Sequence, residues 1–223
     1  MLIEMNAISI TDLRAEAGSL TAGLPAGAPL DAFEAALVAL AVNVSVTALG
    51  RTAVNEAICG AMDAGATVAQ VQEIIALVSG LGVHSLMVSS VTVLDEAANR
   101  GLVRLEEPLD PERQQLWDKH VGGDPFWDGF SAELPGFLEA MLRLSPDIFV
   151  GFFNYCAIPW RSGAVRARVK ELAALACDAS PSHRFRPGFR VHLKNAITLG
   201  VGRTAIFQAL DIAAGAPEYR GTR

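Results

Sequence analysis

Two stretches of this chain can be laid over one another without a gap, and that self-similarity limits the possible folds more than any other feature. The segment VKELAALACDASPS falls on the stretch 31–49, PGFRVHLKNAITLG falls on 52–65, and RTAIFQALDIAAG falls on the segment opened by Thr67. Leu37, Ala39, Leu40 and Ala41 meet Leu172, Ala174, Leu175 and Ala176 in this register, and Ser45, Arg51 and Ala61 meet Ser180, Arg186 and Ala196. The breakers stay in step as well, Gly65 with Gly200 and Gly80 with Gly215. An ungapped match of this kind reads as an internal duplication of one supersecondary unit.

The unit is helical. No stretch sustains the period-two alternation of a strand, and β-branched residues come in short bursts inside Ala-rich runs. Residues 31–49 read as a buried helix opened by Asp31, an acid that suits a positive helix start. A second helix over 52–64 stops at Gly65. Thr67-Val-Ala-Gln70 then has the form of a capping box, and Val68, Val71, Ile75 and Val78 mark an apolar face on the helix it opens. The stretch 98–160 differs: it carries Trp117, Trp127 and Trp160, and Pro and Gly divide it into two or three short helices. The expectation is an all-α protein of two tandem repeats packed as one body. Residues 1–97 hold the first, degenerate repeat, and 98–223 hold linker helices and the second.

Bulk properties exclude several classes of function. Apolar residues make up 51% of the 223 positions and charged ones only 19%, a balance that favours hiding surface in a homo-oligomer. A net charge of −6 argues against nucleic acid, whose phosphates need a basic stripe. No run of about 18 consecutive apolar residues suggests a membrane span. The N-terminal residues, with acids at Glu4 and Asp12, do not form a secretory signal. Three isolated cysteines, Cys59, Cys156 and Cys177, fit a reducing cytoplasm. With no CxxC and no Cys/His cluster, a structural zinc site is not expected, nor any other metal or cofactor.

The second repeat reads Lys170-Glu171-Leu172, then ALAC, then His192-x-x-x-Ala196-x-x-x-Gly200, then a Gly-led amphipathic helix. This order resembles the carboxymuconolactone decarboxylase and alkylhydroperoxidase AhpD-like superfamily, well over about 160–215 and more weakly over 25–80. The resemblance implies an AhpD-like helical fold assembled as trimers or hexamers, with sites near subunit interfaces. For a chain with two copies it implies a trimer imitating a hexamer. The peroxidase branch carries a CxxC just before the histidine. Here His183-Arg-Phe-Arg-Pro-Gly-Phe holds no cysteine, which disfavours thiol peroxidase chemistry.

His192 is the first candidate for chemistry. It shares a helix face with Phe189, Leu193 and Ala196, so a titratable ring would sit at an apolar surface. The plainer alternative is a core histidine satisfied by a carbonyl. Glu171 is the natural partner, since a carboxylate fixes a histidine's tautomer and raises its pKa; alone, it would read as a first-turn acid. The register sharpens both readings, because Glu171 falls on Ala36, His192 on Ala57 and His183 on Ala48. All three side chains are reduced to methyl groups together in the first copy. His183, in the connecting loop, is a second donor or a surface residue. Arg186 and Arg190 could clamp a carboxylate, although Arg186 falls on Arg51 and so reads as structural. Trp160 and Tyr155 could wall a pocket or belong to core. His84 lies far away in sequence, and His120 reads as exposed. Gly200 and Gly202 read as a helix stop and an N-cap, not a nucleotide fingerprint.

The resemblance and these residues together imply a cofactor-free lyase acting on a small acidic lactone or keto-acid-like compound. His192 would be the general acid–base, Glu171 would orient it, and His183 would be a second donor. Two alternatives stand beside this: a non-catalytic ligand-binding member of the fold, and an AhpD-like peroxide-related oxidoreductase using Cys177.

Overall fold

The structure, a computed structural model, describes residues 7–221; Glu4 lies outside them. Helices are the only regular elements among the described residues. The chain forms two compact units, one of residues up to Ser79 with those from Pro159 onward, the other Gly80–Ile158. This division differs from a cut at 97/98. The two similar helix sets pack into one unit, and the connecting stretch has an aromatic core of its own.

The first unit holds α1 (Ile10–Leu20), α2 (Ala32–Val44), α3 (Arg51–Asp63) and α4 (Val68–Ser79). The second holds α5 (His84–Asn99), α6 (Pro111–His120), α7 (Pro125–Glu133), α8 (Phe137–Leu144) and α9 (Pro146–Cys156). The short α10 (Ile158–Ser162) leads back to α11 (Ala167–Ala179), α12 (Arg186–Thr198) and α13 (Arg203–Ala214). Helices α2, α3 and α4 match α11, α12 and α13 in length, and the offset between them is constant. Leu49 and Arg184, equivalent in that register, are the two non-glycine residues with positive φ among the described residues, at 47° and 50°. Gly65 and Gly200 close α3 and α12 at φ 96° and 76°.

Helix α11 is the centre of this unit. Eleven of its thirteen residues are buried, Lys170, Glu171 and Asp178 among them. It packs on α2, α4, α12 and α13. Each buried charge on it has a partner. Lys170 Nζ donates to Glu73 Oε1 at 2.7 Å and to the Pro159 carbonyl at 2.8 Å. Glu73 also accepts from the backbone N–H groups of Ala164 and Val165 and from Ser162. Gln208 does the mirror-image task on α13, accepting from Leu30 N at 2.7 Å. Val165 and Leu30 occupy matching places just ahead of α11 and α2. The last helix of each set therefore holds the entry to the other set's first helix through one side chain.

Capping follows the sequence. Thr67 and Gln70 close the expected box, with Thr67 N donating to Gln70 Oε1 at 2.9 Å and Gln70 N to Thr67 Oγ1 at 3.3 Å. Asp31 and Glu34 make a second box at α2. The buried face of α4 is Val71, Ile74 and Val78, while Val68 is exposed. Gly202 does cap α13. There the segment 25–27 crosses so closely that a Cβ on Gly202 would lie 2.5 Å from Gly27 Cα.

The other unit contains more helices than two or three, because three of them start on a capping side chain followed by proline. Asp110-Pro111, Asp124-Pro125 and Ser145-Pro146 open α6, α7 and α9, a pairing that satisfies an orphan N–H and presets φ. Trp127, Phe130, Phe137, Phe149, Phe152 and Phe153 form a chain of ring contacts, mostly edge-on, with centroids 4.8–6.2 Å apart. His120 is not a surface residue: it stacks on Phe153 at 4.8 Å. Burial, then the nearby Lys119 charge, holds its pKa below the usual histidine value. Along the chain, α4 continues through a 3-10 turn into α5. The run Val68–Asn99 is long and apolar enough, by length and composition, to cross a membrane. Glu73 within it is buried against Lys170.

Candidate functional site

The site is built on two neighbouring helices. The six-residue connection after α11 turns the chain back, so the start of α11 faces the end of α12. Glu171 projects from the first turn and a half of α11, and His192 and Asn195 lie one turn apart on α12. His192 Nδ1 stands 2.7 Å from Glu171 Oε2. Asn195 Nδ2 donates to the other carboxylate oxygen at 3.1 Å. Both oxygens of Glu171 are thereby engaged and the carboxylate plane is fixed.

Burial by itself would lower the His192 pKa. The hydrogen bond to Glu171, its charge, and the charge of Asp178 outweigh that and raise it above 6.5. The Glu171 side chain is 7% exposed and that of His192 is 22% exposed. The acid is thus inside and the ring reaches toward solvent. With Nδ1 committed to the carboxylate, Nε2 is the ring atom able to exchange a proton with a bound molecule.

Asp178 lies two turns after Glu171 on the same face of α11 and is fully buried. His183 Nε2 is 3.5 Å from its Oδ1. Opposite it, α12 carries Gly188, where a Cβ would come within 2.3 Å of Asp178 Oδ2 and 2.9 Å of the Phe185 ring. Glycine is required there because the carboxylate occupies the space of a side chain. His183 therefore belongs to the Asp178 end of the helix pair. His192 belongs to the Glu171 end.

The other sequence candidates have different neighbours. Arg186 Nε and Arg190 Nη1 lie 2.9 Å and 2.7 Å from the Glu16 carboxylate on α1. Their planar groups thus tie α12 to α1. Trp160 places its ring 5.3 Å from Lys170 Nζ and is half-exposed. Tyr155 sits on α9 in the other unit, also half-exposed, and His84 opens α5 there. Cys177 is buried, and burial followed by the Asp178 charge pushes its thiol well above the ordinary range. Burial raises Cys156 to about 11. Neither favours a thiolate. Cys59 is exposed.

Sequence reasoning missed Asn195 and Asp178. Both were visible in principle: Asn195 is three residues from His192 and Asp178 seven from Glu171, spacings that keep a helical face. In the duplicated register they fall on Gly60 and Asn43.

No protein-family model matches the chain, and no curated protein matches it. A solved structure does. The crystal structure of a putative gamma-carboxymuconolactone decarboxylase subunit from Burkholderia xenovorans LB400 superposes with a TM-score of 0.71 at 27% identity. The match covers 92% of this chain and 90% of that one. The two chains share one all-α fold. The similarity spans nearly the full length of both, so it takes in the connecting unit as well as the two helix sets.

Proposed function

We propose that the protein is a carboxymuconolactone decarboxylase-like lyase that works without a cofactor on a small acidic lactone or keto-acid-like compound. The observation that carries this reading is the His192–Glu171 pair: a partly exposed imidazole whose Nδ1 is 2.7 Å from a buried carboxylate. Similarity in fold to the Burkholderia protein supports the choice of reaction. In a decarboxylation of this class the bond to the carboxyl carbon breaks and its electron pair enters an enolate. Carbon dioxide leaves, and a proton must then be delivered to carbon. His192, kept protonated to higher pH by Glu171, is the acid. Asn195 helps hold Glu171, and His183, at the Asp178 end of the helix pair, is a contact for the substrate's carboxylate.

The wider reading has three parts. The chain carries two copies of the unit without a CxxC, only the second armed; three chains assemble as a trimer; and the protein works in the cytoplasm. The first part is supported by the matching spans of the two helix sets and by Ala36, Ala57 and Ala48 at the places of Glu171, His192 and His183. Isomerisation or lactone opening would use the same proton donor. The test is carbon dioxide release from γ-carboxymuconolactone by the purified protein and by His192→Ala. Turnover lost in the variant supports the reading. No release by the wild type, with ligand binding indifferent to His192, replaces it with a non-catalytic binding protein of the same fold.

A further inference from the structure

Asp178 is a carboxylate buried beside two imidazoles, and the first helix set shows the same place with the imidazoles gone. On α11 it is fully buried, with His183 Nε2 3.5 Å from its Oδ1. Its other oxygen fills the space that a side chain at Gly188 would need. His192 is one turn further along α12 from Gly188. The carboxylate therefore stands between the connection that carries His183 and the turn that carries His192. In the first set the register places Asn43 at Asp178, Ala53 at Gly188, Ala48 at His183 and Ala57 at His192. Asn43 matches Asp178 in size but carries no charge, and its Nδ2 turns back to the Ala39 carbonyl of its own helix at 2.8 Å. A helix pair of the same spans thus folds with an amide and a methyl group at these two places.

What the second set adds is charge. A carboxylate taken out of water needs a cation or hydrogen-bond donors to offset its desolvation, and glycine inside a helix is less stable than alanine. Both costs are present where the two histidines stand and absent where alanines replace them. The other charges on the helices of this unit are engaged elsewhere. Glu34 on α2 pairs with Arg168, Glu73 on α4 with Lys170, and Asp211 on α13 with Arg14. Glu16 on α1 takes Arg186 and Arg190, Arg184 reaches the Ile8 carbonyl, and Lys194 is exposed. Burial disfavours the protonated His192 ring, and Glu171 first, then Asp178, are the carboxylates that outweigh it. We propose that Asp178 is a positioning residue for the decarboxylation, holding His183 toward the substrate's carboxylate and keeping a negative charge behind His192. This rests on the lyase reading above and divides the helix pair into a binding end and a proton-delivery end joined by one buried acid.

The test is Asp178→Asn in the full chain, the change that copies Asn43. Ring signals of the four histidines are followed by NMR against pH and assigned with His192→Ala and His183→Gln. The His192 midpoint should fall in Asp178→Asn and fall further in Glu171→Gln. In carbon dioxide release from γ-carboxymuconolactone, the alkaline limb of kcat should move to lower pH. KM should rise roughly tenfold, the worth of one charge-assisted hydrogen bond. A purely structural role would lower the melting temperature and leave the midpoint and KM where they were. If Asp178→Asn does not fold alone, Asp178→Asn with Gly188→Ala reproduces the combination of Asn43 and Ala53 and is read in the same way. Three results overturn the proposal: an unchanged His192 midpoint, an unchanged KM with kcat lowered equally at every pH, or failure of both variants to fold. The titration needs no substrate. A wild type that releases no carbon dioxide would end the lyase reading, while the midpoint still decides whether Asp178 acts on His192.

Discussion

Helices α2–α3 and α11–α12 have the same spans and the same kind of turn, with a positive-φ residue at Leu49 in one and Arg184 in the other. They differ in what they enclose. One pair holds a carboxylate, a histidine, an amide and a second carboxylate; the other holds small residues and a groove. The geometry of such a pair therefore rests on its breakers and its Ala/Leu seam. The groups proposed for chemistry sit at a few positions that the other pair fills with Ala, Gly and Asn at the same helix spans. A scaffold and a site that separate this cleanly can be tested separately.

The largest contrast expected is in turnover. His192→Ala should lower kcat for the proposed decarboxylation by about 10²–10⁴, the usual worth of a positioned acid–base group. Ala57→Ser, the matching change on α3, should leave it unchanged. Equal losses in both would end the distinction between the two pairs.

Next comes the contrast in buried charge. Lys170 falls on Ala35 and Glu73 on Gln208, so one crossing between the two helix sets uses an ion pair and the other a neutral hydrogen bond. Lys170→Met strands the Glu73 carboxylate, each partner being only 2% exposed, and should cost about 3–5 kcal/mol in urea unfolding. Gln208→Ala removes a single neutral bond and should cost about 1 kcal/mol. A smaller loss from Lys170→Met than from Gln208→Ala would show that the pair does not hold the crossing.

The neighbours Lys170 and Glu171 also predict opposite pH limits. Burial would raise the Glu73 pKa, but hydrogen bonds from Lys170, Ser162, Val165 and Ala164 win and bring it below 4.5. Its contribution is present above that unfolded value and is lost as pH falls through the lowered one. The His192 value is raised from 6.5. Its pairing with Glu171 thus contributes fully below pH 6.5 and fades as pH rises through the folded value. Stability measured against pH should fall on this alkaline side for the wild type and lose that component in Glu171→Gln. An unchanged alkaline limb would mean the pair carries no linked proton.

Much of this was legible in the sequence, and the reason is local. The capping box at Thr67, the stop at Gly65 and the Gly202 cap depend on residues within a turn of each other, so sequence order is enough. Glu171 and His192 were also expected to pair, from the resemblance and from a register that sets both against alanine in the first copy, and they lie 2.7 Å apart. What escaped was set by long-range packing. Glu16, on α1, takes both arginines that sequence reasoning offered to a substrate, and nothing near Arg186 or Arg190 in the chain announces it. Asp178 escaped because a fully buried acid looks, in sequence, like a late-helix polar residue. Its place shows only when Gly188 is seen to make room for it.

That glycine supplies the smallest and most direct test. Gly188 falls on Ala53, and Gly60 falls on Asn195, so each helix pair holds a glycine where the other holds a side chain. Gly188→Ala puts a methyl group 2.3 Å from Asp178 Oδ2. The carboxylate or the helix must move, at about 1–3 kcal/mol for overpacking. Gly60→Ala meets open space and removes glycine from a helix interior, so it should stabilise by about 0.5–1 kcal/mol. The same substitution is expected to have opposite signs in two helices of identical length, read by thermal unfolding of the two variants side by side. If both stabilise, Asp178 is free to swing away and does not fill the space beside α12. The second carboxylate would then drop out of the account of His192, which would rest on Glu171 alone.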